Sequence, residues 1–484
     1  MTSNNTKRAT KGVTWSAIER FLTQGVQFVI SIILARLLSP SDFGLIALVL
    51  VVLNVLQTIN EVGFNTALMQ KIDRDELDFS TVFVMNIFLG IILYGILYAI
   101  APLIALFFEK TELINLTRIV GLNLIITSLI VVQQTKLFII VDFKTQTKAS
   151  IVAATASGIV GIYFAYHGFG VFALVYQSLI NNGLNTLLIW FLVGSRPKLQ
   201  FSYSRFTRLF SFAYKLILVR MINVLFQQSF SAVIGKVFSF DQLGFFNRAN
   251  SFVLLTSNNI TGIVQRVSTP MLCESQYDLQ YMGRILTKFM RSTAMIVFPI
   301  LFGLFVLAEP LIDVLLTDKW LPAAWMLQVL CPVGIFYLIS TFNRNVFNAT
   351  GKTGWALKSE LIKKIFFIII IGIAIYSSFT ALIVSQLIIA IIDFIIDTYY
   401  TKKQIGLTLL QQLKSISGVF IASLVMSGFV YISIVNVNSN VVKLILGFVI
   451  GFVTYSTICY TFNVCDFRTI IRLTGFDCIH LRRK

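Results

Sequence analysis

Arginine and amide side chains recur at helical spacing in four long apolar stretches, where they could bind an anionic, hydroxyl-rich ligand. Polar groups are costly in lipid, so a polar stripe on an apolar helix marks a face turned away from the bilayer. Asn and Ser could equally bond neighbouring helices, whereas an arginine deep in a span costs at least about 2.5 kcal/mol. The stripes consist of Arg20, Gln24, Gln27 and Ser31; Asn54, Thr58, Glu61 and Asn65; Arg220, Asn223, Gln227 and Ser231; and Arg248, Ser251, Asn258 or Asn259, and Arg266.

The charged residues of these stretches are mostly cations. A guanidinium binds phosphate oxygens through two parallel charge-assisted hydrogen bonds and does not deprotonate. We therefore predict a cavity for a phosphate joined to a hydroxyl-rich body, such as a lipid-linked sugar phosphate, whereas a pump for lipophilic cations would need acidic and aromatic walls. The predicted phosphate ligands are Arg20, Arg220, Arg248 and Lys215. The predicted polar lining is Gln24, Gln27, Asn54, Asn223, Gln227 and Asn258.

Acidic residues are few within the predicted spans, and they are Glu61, Glu360, Asp393 and Asp397. A carboxylate inside the membrane can carry a coupling proton or cation. We predict that role for Glu61 or Asp393. Asp397 is expected near the inner interface, in contact with water.

Enzyme motifs fail on inspection. Residues 349–353 look like the end of a P-loop, but Val346 stands where that loop needs glycine. His167 and His480 have no cluster with metal-ligand spacing around them. The five cysteines form no CxxC pair and are expected to be reduced. We expect no enzymatic activity, cofactor or metal.

Composition places the chain in a membrane. Of its 484 residues, 57% are hydrophobic and only 12% are charged, with a mean hydropathy of +0.84. An average soluble protein has about 25% charged residues. The net charge of +18 fits basic loops beside anionic lipid better than nucleic-acid binding, because no basic arm with interleaved aromatics is present.

Apolar runs long enough to cross the hydrocarbon core predict an all-α polytopic protein with about 14 transmembrane helices. Twelve or thirteen would remain if the pair from Lys358 to Tyr400 or the last pair is misassigned. The predicted spans are 13–38, 43–68, 80–108, 113–132, 151–166, 171–193, 211–236, 243–268, 289–310, 323–345, 357–375, 380–400, 416–435 and 441–462.

The distribution of basic residues predicts the orientation. With the N-terminus inside, the inner segments hold 23 Lys and Arg, and the outer loops hold only Lys110 and Lys319. Because cytoplasmic loops are enriched in Lys and Arg, both termini are predicted to be cytoplasmic. The polar, basic start has no cleavage pattern, so no cleaved signal peptide is expected.

A repeat at an offset of 200 residues predicts two pseudo-symmetric six-helix lobes around a central cavity, plus two C-terminal helices. Residues 20–44 and 220–244 share polar positions, a turn and a glycine. Both copies point the same way across the membrane, an arrangement that transporters use. The predicted parts are an N-lobe at 1–193, a cytoplasmic linker at 194–210, a C-lobe at 211–400, and two helices with a cytoplasmic tail at 401–484.

Six short segments carry a family resemblance, at residues 12–16, 34–44, 61–64, 168–171, 319–320 and 348–352. They resemble bacterial polysaccharide flippases of the multidrug/oligosaccharidyl-lipid/polysaccharide exporter (MOP) superfamily. The resemblance implies two six-helix lobes and movement of undecaprenyl-diphosphate-linked oligosaccharide from the cytoplasmic to the outer leaflet by alternating access. In related lipid II flippases cavity arginines hold the diphosphate, and Arg20 occupies a comparable place.

The main interpretation is thus a flippase of the bacterial inner membrane for surface polysaccharide biosynthesis. Its expected partners are the lipid-linked oligosaccharide, membrane lipids, a coupling proton or sodium ion and other polysaccharide-assembly proteins, with no nucleic acid. The alternatives are a small-molecule or drug antiporter of the same fold and a membrane-embedded polysaccharide polymerase or ligase. The acid-poor stripes argue against the antiporter, and the short outer loops argue against the enzyme.

Overall fold

The computed structural model describes residues 22–71, 73–140, 142–194, 197–350 and 353–462. Within these ranges the chain is helical and contains no β-strand, which confirms the predicted all-α class. The helices are α1 (Leu22–Leu37), α2 (Pro40–Gln70), α3 (Glu76–Phe107), α4 (Glu112–Ile140), α5 (Phe143–Tyr166), α6 (Val171–Val193), α7 (Tyr203–Val237), α8 (Phe240–Glu274), α9 (Leu279–Val306), α10 (Ala308–Leu316), α11 (Ala323–Ala349), α12 (Thr353–Ser377), α13 (Phe379–Ile405), α14 (Leu409–Ile434) and α15 (Asn440–Thr461).

Each predicted span overlaps a described helix, although residues 13–21 of the first span lie outside the described residues and span 289–310 runs from α9 into α10. Nine of the described helices are long and apolar enough to cross a membrane, which confirms a multi-pass membrane protein. The described part of α1 is apolar but shorter, and α6, α7, α8 and α12 carry more polar or charged side chains. The predicted number of fourteen spans is therefore not confirmed.

Helices begin and end where the local sequence supplies caps. Asp75 begins α3, because its carboxylate accepts from the Asp78 amide at 3.0 Å while Asp78 accepts from the Asp75 amide at 3.1 Å. Asp278 caps α9 through the Tyr281 amide at 2.9 Å. Gly406 ends α13 in the left-handed conformation that glycine adopts without strain.

The chain forms two compact units that divide between Asn247 and Arg248, inside α8. In the first unit, α2 packs against α7 and α4, α3 against α4, and α5 against α6. Small residues permit the close approaches: a Cβ at Gly158 would lie 2.1 Å from Ile30 Cδ1. The repeat assigns α7 to the second lobe, whereas α7 packs within this first unit. The lobe boundaries at 194–210 and 401 stay a prediction.

The second unit is built around α9 and α11. Helix α9 packs against α11 and α14, α13 packs against α11 and α12, and α15 lies against α14. Buried amides connect three of these helices: Asn343 Nδ2 donates to Gln412 Oε1 at 3.0 Å and to Thr398 Oγ1 at 3.2 Å. Paired amides are the expected way to place polar side chains inside a membrane bundle.

Candidate functional site

The α1–α2 turn and the α7–α8 turn are built in the same way. The Ser39 amide donates to Asp42 Oδ2 at 2.9 Å, and the Asp42 amide donates to Ser39 Oγ at 3.2 Å. Two hundred residues later, Ser239 and Gln242 exchange the same two bonds, both at 3.2 Å. These are reciprocal capping boxes at the starts of α2 and α8. The structure therefore supports the predicted repeat at the residues that follow α1 and α7.

Helices α1 and α7 are also equivalent in burial. Residues 22–37 and 222–237 show the same degree of burial at 14 of 16 paired positions. Leu34 and Ile234 are both buried, whereas Gln27 and Gln227 are both exposed. The matching pattern means that α1 and α7 are buried along equivalent faces.

The two turns contact each other through glycine. A Cβ at Gly44 would lie 1.9 Å from the carbonyl oxygen of Phe240, and a Cβ at Gly244 would lie 2.0 Å from that of Pro40. Only a residue without a side chain permits backbones to approach so closely. We name this contact the glycine crossing (residues 40–44 and 240–244). It joins the two matched turns at the predicted outer end of the first unit.

An ion pair lies at the same end of α7. Lys236 Nζ is 2.8 Å from Glu109 Oε1 and 5.1 Å from the centre of the Phe107 ring. Lys236 lowers the pKa of Glu109 from its ordinary value through this hydrogen bond. The outer end of α7 is therefore held to the α1–α2 turn through the glycine crossing and to the α3–α4 turn through Lys236.

The predicted lining residues of the first unit differ in exposure. Arg220 is the middle residue of α7, is exposed, and makes no ion pair with any described residue. Gln27 and Gln227 are exposed, whereas Gln24, Asn54 and Asn223 are half-buried. Gln24 Oε1 accepts no hydrogen bond from the described part of the chain. An exposed guanidinium flanked by amides on one helix can bind an anion with hydroxyl groups beside it.

The side chains of three predicted site residues are not among those that the structure describes. Arg20 lies outside the described residues. Glu61 and Lys215 lie on α2 and α7, and their side chains are outside the description. Their predicted roles stay predictions.

In the second unit, Arg248 is buried near the start of α8. Its guanidinium carbon lies 5.7 Å from the ring centre of Trp320, which is fully buried. This is the geometry of a cation–π contact. Asn258 is exposed on the same helix. The structure thus packs Arg248 against an aromatic ring, and its predicted contact with phosphate stays a prediction.

A cluster of charges that the sequence analysis did not identify connects the start of α3 with the start of α7. Asp78 is 1% exposed and lies 2.5 Å from Lys71 Nζ and 3.1 Å from Arg205 Nη1. Arg205 also pairs with Asp75 and lowers its pKa to about 2. We name these four residues the α3–α7 charge cluster. They border a polar pocket of about 440 Å³ at the predicted inner end.

Sequence pattern could have found only part of this cluster. Asp75 and Asp78 have the spacing of a helix start, and that signal predicts their mutual hydrogen bonds. Arg205 follows Asp75 by 130 residues, and no periodicity connects them. The pairing depends on how α7 packs against α3.

A second buried charge cluster lies between α12 and α13. Lys363 Nζ is 2.6 Å from Glu360 Oε1 and 2.9 Å from Asp397 Oδ1, and Ser359 Oγ donates to the same Asp397 oxygen at 2.9 Å. Lys363 is 3% exposed and Asp397 is fully buried. The expectation that Asp397 contacts water is therefore wrong, because Lys363 supplies a counter-ion and permits burial. Asp393, one helical turn earlier, is half-buried.

No group of three or more His, Cys, Asp or Glu side chains in the described ranges could hold a metal ion. The side chains described above offer hydrogen bonds and ion pairs. Exposed cationic and amide side chains on α7 can bind an anion. The glycine crossing and the α3–α7 charge cluster can fasten α7 at its two ends.

Comparison with known proteins identifies the family. Residues 33–325, more than half of the chain, match the family described as polysaccharide biosynthesis protein. The teichuronic acid biosynthesis protein TuaB of Bacillus subtilis is 26% identical, over 72% of this chain and 73% of that protein. The succinoglycan biosynthesis transport protein ExoT of Rhizobium meliloti is also 26% identical, over 70% and 69%. The lipopolysaccharide biosynthesis protein WzxC of Escherichia coli is 22% identical, over 76% and 75%.

Solved structures with the same fold are membrane transporters. The lipid II flippase MurJ in an inward closed conformation superposes with a TM-score of 0.76 at 15% identity, covering 94% of this chain and 99% of MurJ. An inward-facing multidrug resistance MATE family transporter of the MOP superfamily superposes with a TM-score of 0.60 at 17% identity, covering 83% and 98%. These likenesses show the fold. This chain belongs to the polysaccharide biosynthesis protein family, and its fold is that of the MurJ and MATE transporters of the MOP superfamily.

Proposed function

We propose that the protein is a flippase that moves undecaprenyl-diphosphate-linked oligosaccharide from the cytoplasmic to the outer leaflet of the bacterial inner membrane. Membership of the polysaccharide biosynthesis family supports a role in making surface glycan. The single structural observation that carries the proposal is the exposed Arg220 at the middle of α7. A cation inside a membrane span is expensive to keep without a functional partner.

The neighbours of Arg220 suit the two parts of such a substrate. The guanidinium can bind the diphosphate through paired charge-assisted hydrogen bonds. Asn223 and Gln227 lie one and two turns further along α7 and offer amide donors and acceptors to sugar hydroxyl groups. Gln24 and Gln27 present the equivalent face of α1.

Alternating access is supported by the glycine crossing and the α3–α7 charge cluster. A transporter of this kind opens one face while the other is closed. The glycine crossing supplies a contact that closes the predicted outer end of the first unit, and it can separate without breaking a covalent or buried ionic contact. We place both termini in the cytoplasm, on the basis of the 23 inner and two outer basic residues.

Coupling to a proton or sodium ion belongs to the same proposal. Glu61 and Asp393 are the carboxylates that we assign to it, and the half-burial of Asp393 beside the α12–α13 charges supports its inclusion. Contacts with other polysaccharide-assembly proteins are expected from the family role. An imposed ion gradient should accelerate transport by the wild type. The transport rate of an Asp393→Asn variant should be the same with and without the gradient.

The test in cells is complementation. In a strain that lacks this protein, wild-type chain should restore surface polysaccharide, and Arg220→Ala should not restore it. Charge-assisted hydrogen bonds are worth about 1.5–3 kcal/mol, so loss of the guanidinium should weaken binding about tenfold to hundredfold. Arg220→Lys should keep part of the activity.

Lys414→Ala is the matched control, because Lys414 is an exposed cation on α14 outside the polar stripes. Both variants must reach the membrane at wild-type level. Normal polysaccharide from Arg220→Ala at that level would contradict the assignment of Arg220 to the substrate.

A further inference from the structure

The α3–α7 charge cluster connects helices that are far apart in the sequence. Lys71 and Asp75 lie between α2 and α3, and Asp78 lies in the first turn of α3, whereas Arg205 lies in the first turn of α7. The cluster therefore fixes the inner end of α7 to the α2–α3 turn. At the other end of α7, Lys236 pairs with Glu109 and the glycine crossing joins the two outer turns. Both ends of α7 are fastened in this structure.

We propose that Arg205 is a releasable latch that closes the inner face of the transporter through Asp75 and Asp78. The inference rests on the proposed alternating access. The latch is closed when α7 lies against the α2–α3 turn, and it opens when the substrate enters from the cytoplasmic side.

The arrangement of Asp78 makes the release of Arg205 inexpensive. A buried carboxylate that loses its counter-ion is strongly destabilised. Asp78 keeps two partners when Arg205 leaves, because Lys71 Nζ and the Asp75 amide both bind Asp78 Oδ2, at 2.5 and 3.1 Å. Lys71 is thus the permanent counter-ion, and Arg205 is the exchangeable one.

Arg205 itself can be hydrated when it leaves. Its side chain is already 32% exposed, and it borders the polar pocket of about 440 Å³ together with Ser204 and Arg208. Asp75 is half exposed and can also return to water. After separation, both Arg205 and Asp75 can therefore be hydrated.

The latch responds to ionic strength rather than to physiological pH. The side-chain hydrogen bond from Arg205 lowers the pKa of Asp75 to about 2, so this carboxylate stays charged at any pH the cytoplasm reaches. Salt screens exposed charges, with a Debye length of about 10 Å at 0.1 M and about 3 Å at 1 M.

The test is a distance measurement that needs no substrate. Spin labels on cysteines at Asp73 and Ser204, both exposed, report the separation of the α2–α3 turn from α7 in lipid nanodiscs. The Arg205→Ala variant should raise the long-distance population by up to about fivefold, and Arg205→Lys should raise it less. High salt should shift the wild type in the same direction, which gives a readout without any substitution in the cluster.

Arg208→Ala is the matched control. Arg208 lies one turn along α7, borders the same pocket, and makes no ion pair with the described residues. An unchanged distance in Arg205→Ala, or an equal shift in Arg208→Ala, would overturn the latch. Transport of the lipid-linked glycan is measured separately. If the wild-type protein flips no glycan but Arg205→Ala raises the long-distance population, the proposed function is refuted and the latch is supported. If Arg205→Ala flips glycan normally and shows wild-type distances, the latch is refuted and the proposed function is supported.

Discussion

Replacement of Gly44 by alanine should open the outer end of the first unit. The new Cβ would lie 1.9 Å from the Phe240 carbonyl oxygen and 2.7 Å from its carbonyl carbon, where ordinary contact begins at 3.4 Å. The two turns would have to separate by about 1.5 Å. Because the obstacle is backbone, no side-chain rotation can relieve it. Overpacking of this kind costs about 1–3 kcal/mol, which shifts the closed-to-open equilibrium about 5- to 150-fold.

Spin labels on cysteines at Ser39 and Ser239, both exposed, measure this opening directly. Gly44→Ala should add a longer distance, and Gly244→Ala should do the same. The two effects should be less than additive, because both side chains would enter one contact. Gly25→Ala in α1 is the control, since a Cβ there meets nothing within 4 Å. Equal distance distributions in Gly44→Ala and Gly25→Ala would refute the reasoning.

Two further predictions concern burial and orientation. Lys363→Met should lower the thermal unfolding midpoint, because Asp397 would stay buried without its counter-ion, at a cost of about 3–5 kcal/mol in the free energy of unfolding. The double variant with Asp397→Leu should recover stability. A double variant no more stable than Lys363→Met would contradict the pairing. In a chain without native cysteines, an impermeant thiol reagent added to intact cells should label Lys319→Cys and not Lys414→Cys, and the reverse pattern would overturn the orientation.

The sequence predicted the helices well, because a membrane span leaves a strong hydropathy signal. The predicted spans 171–193 and 441–462 fall within one residue of α6 and α15. Helices α4, α7 and α9 extend several residues beyond their spans at the predicted inner end, where amphipathic turns continue into water. Hydropathy measures the apolar part of a helix and not its full length.

The repeat was also visible in the sequence, and Gly44 and Gly244 of the glycine crossing occupy equivalent positions in it. The ion pairs were not visible. Asp397 was assigned to the interface because α13 nears its end there, but its environment depends on Lys363 of α12. Arg248 was assigned to a cavity from its stripe, and its packing against Trp320 depends on residues 72 positions later. Such pairings are set by tertiary packing and not by spacing along one helix.

The central claim is that the protein moves a diphosphate-linked glycan between leaflets. The most direct measurement uses proteoliposomes that contain undecaprenyl-diphosphate oligosaccharide with a dithionite-reducible fluorophore on the sugar. Wild-type protein, with an ion gradient imposed, should bring the inner-leaflet pool to the outside, where added dithionite reduces it. Arg220→Ala should slow this about tenfold or more. A wild-type protein that leaves the inner-leaflet pool protected, while the same vesicles export a small cationic dye, would contradict the account.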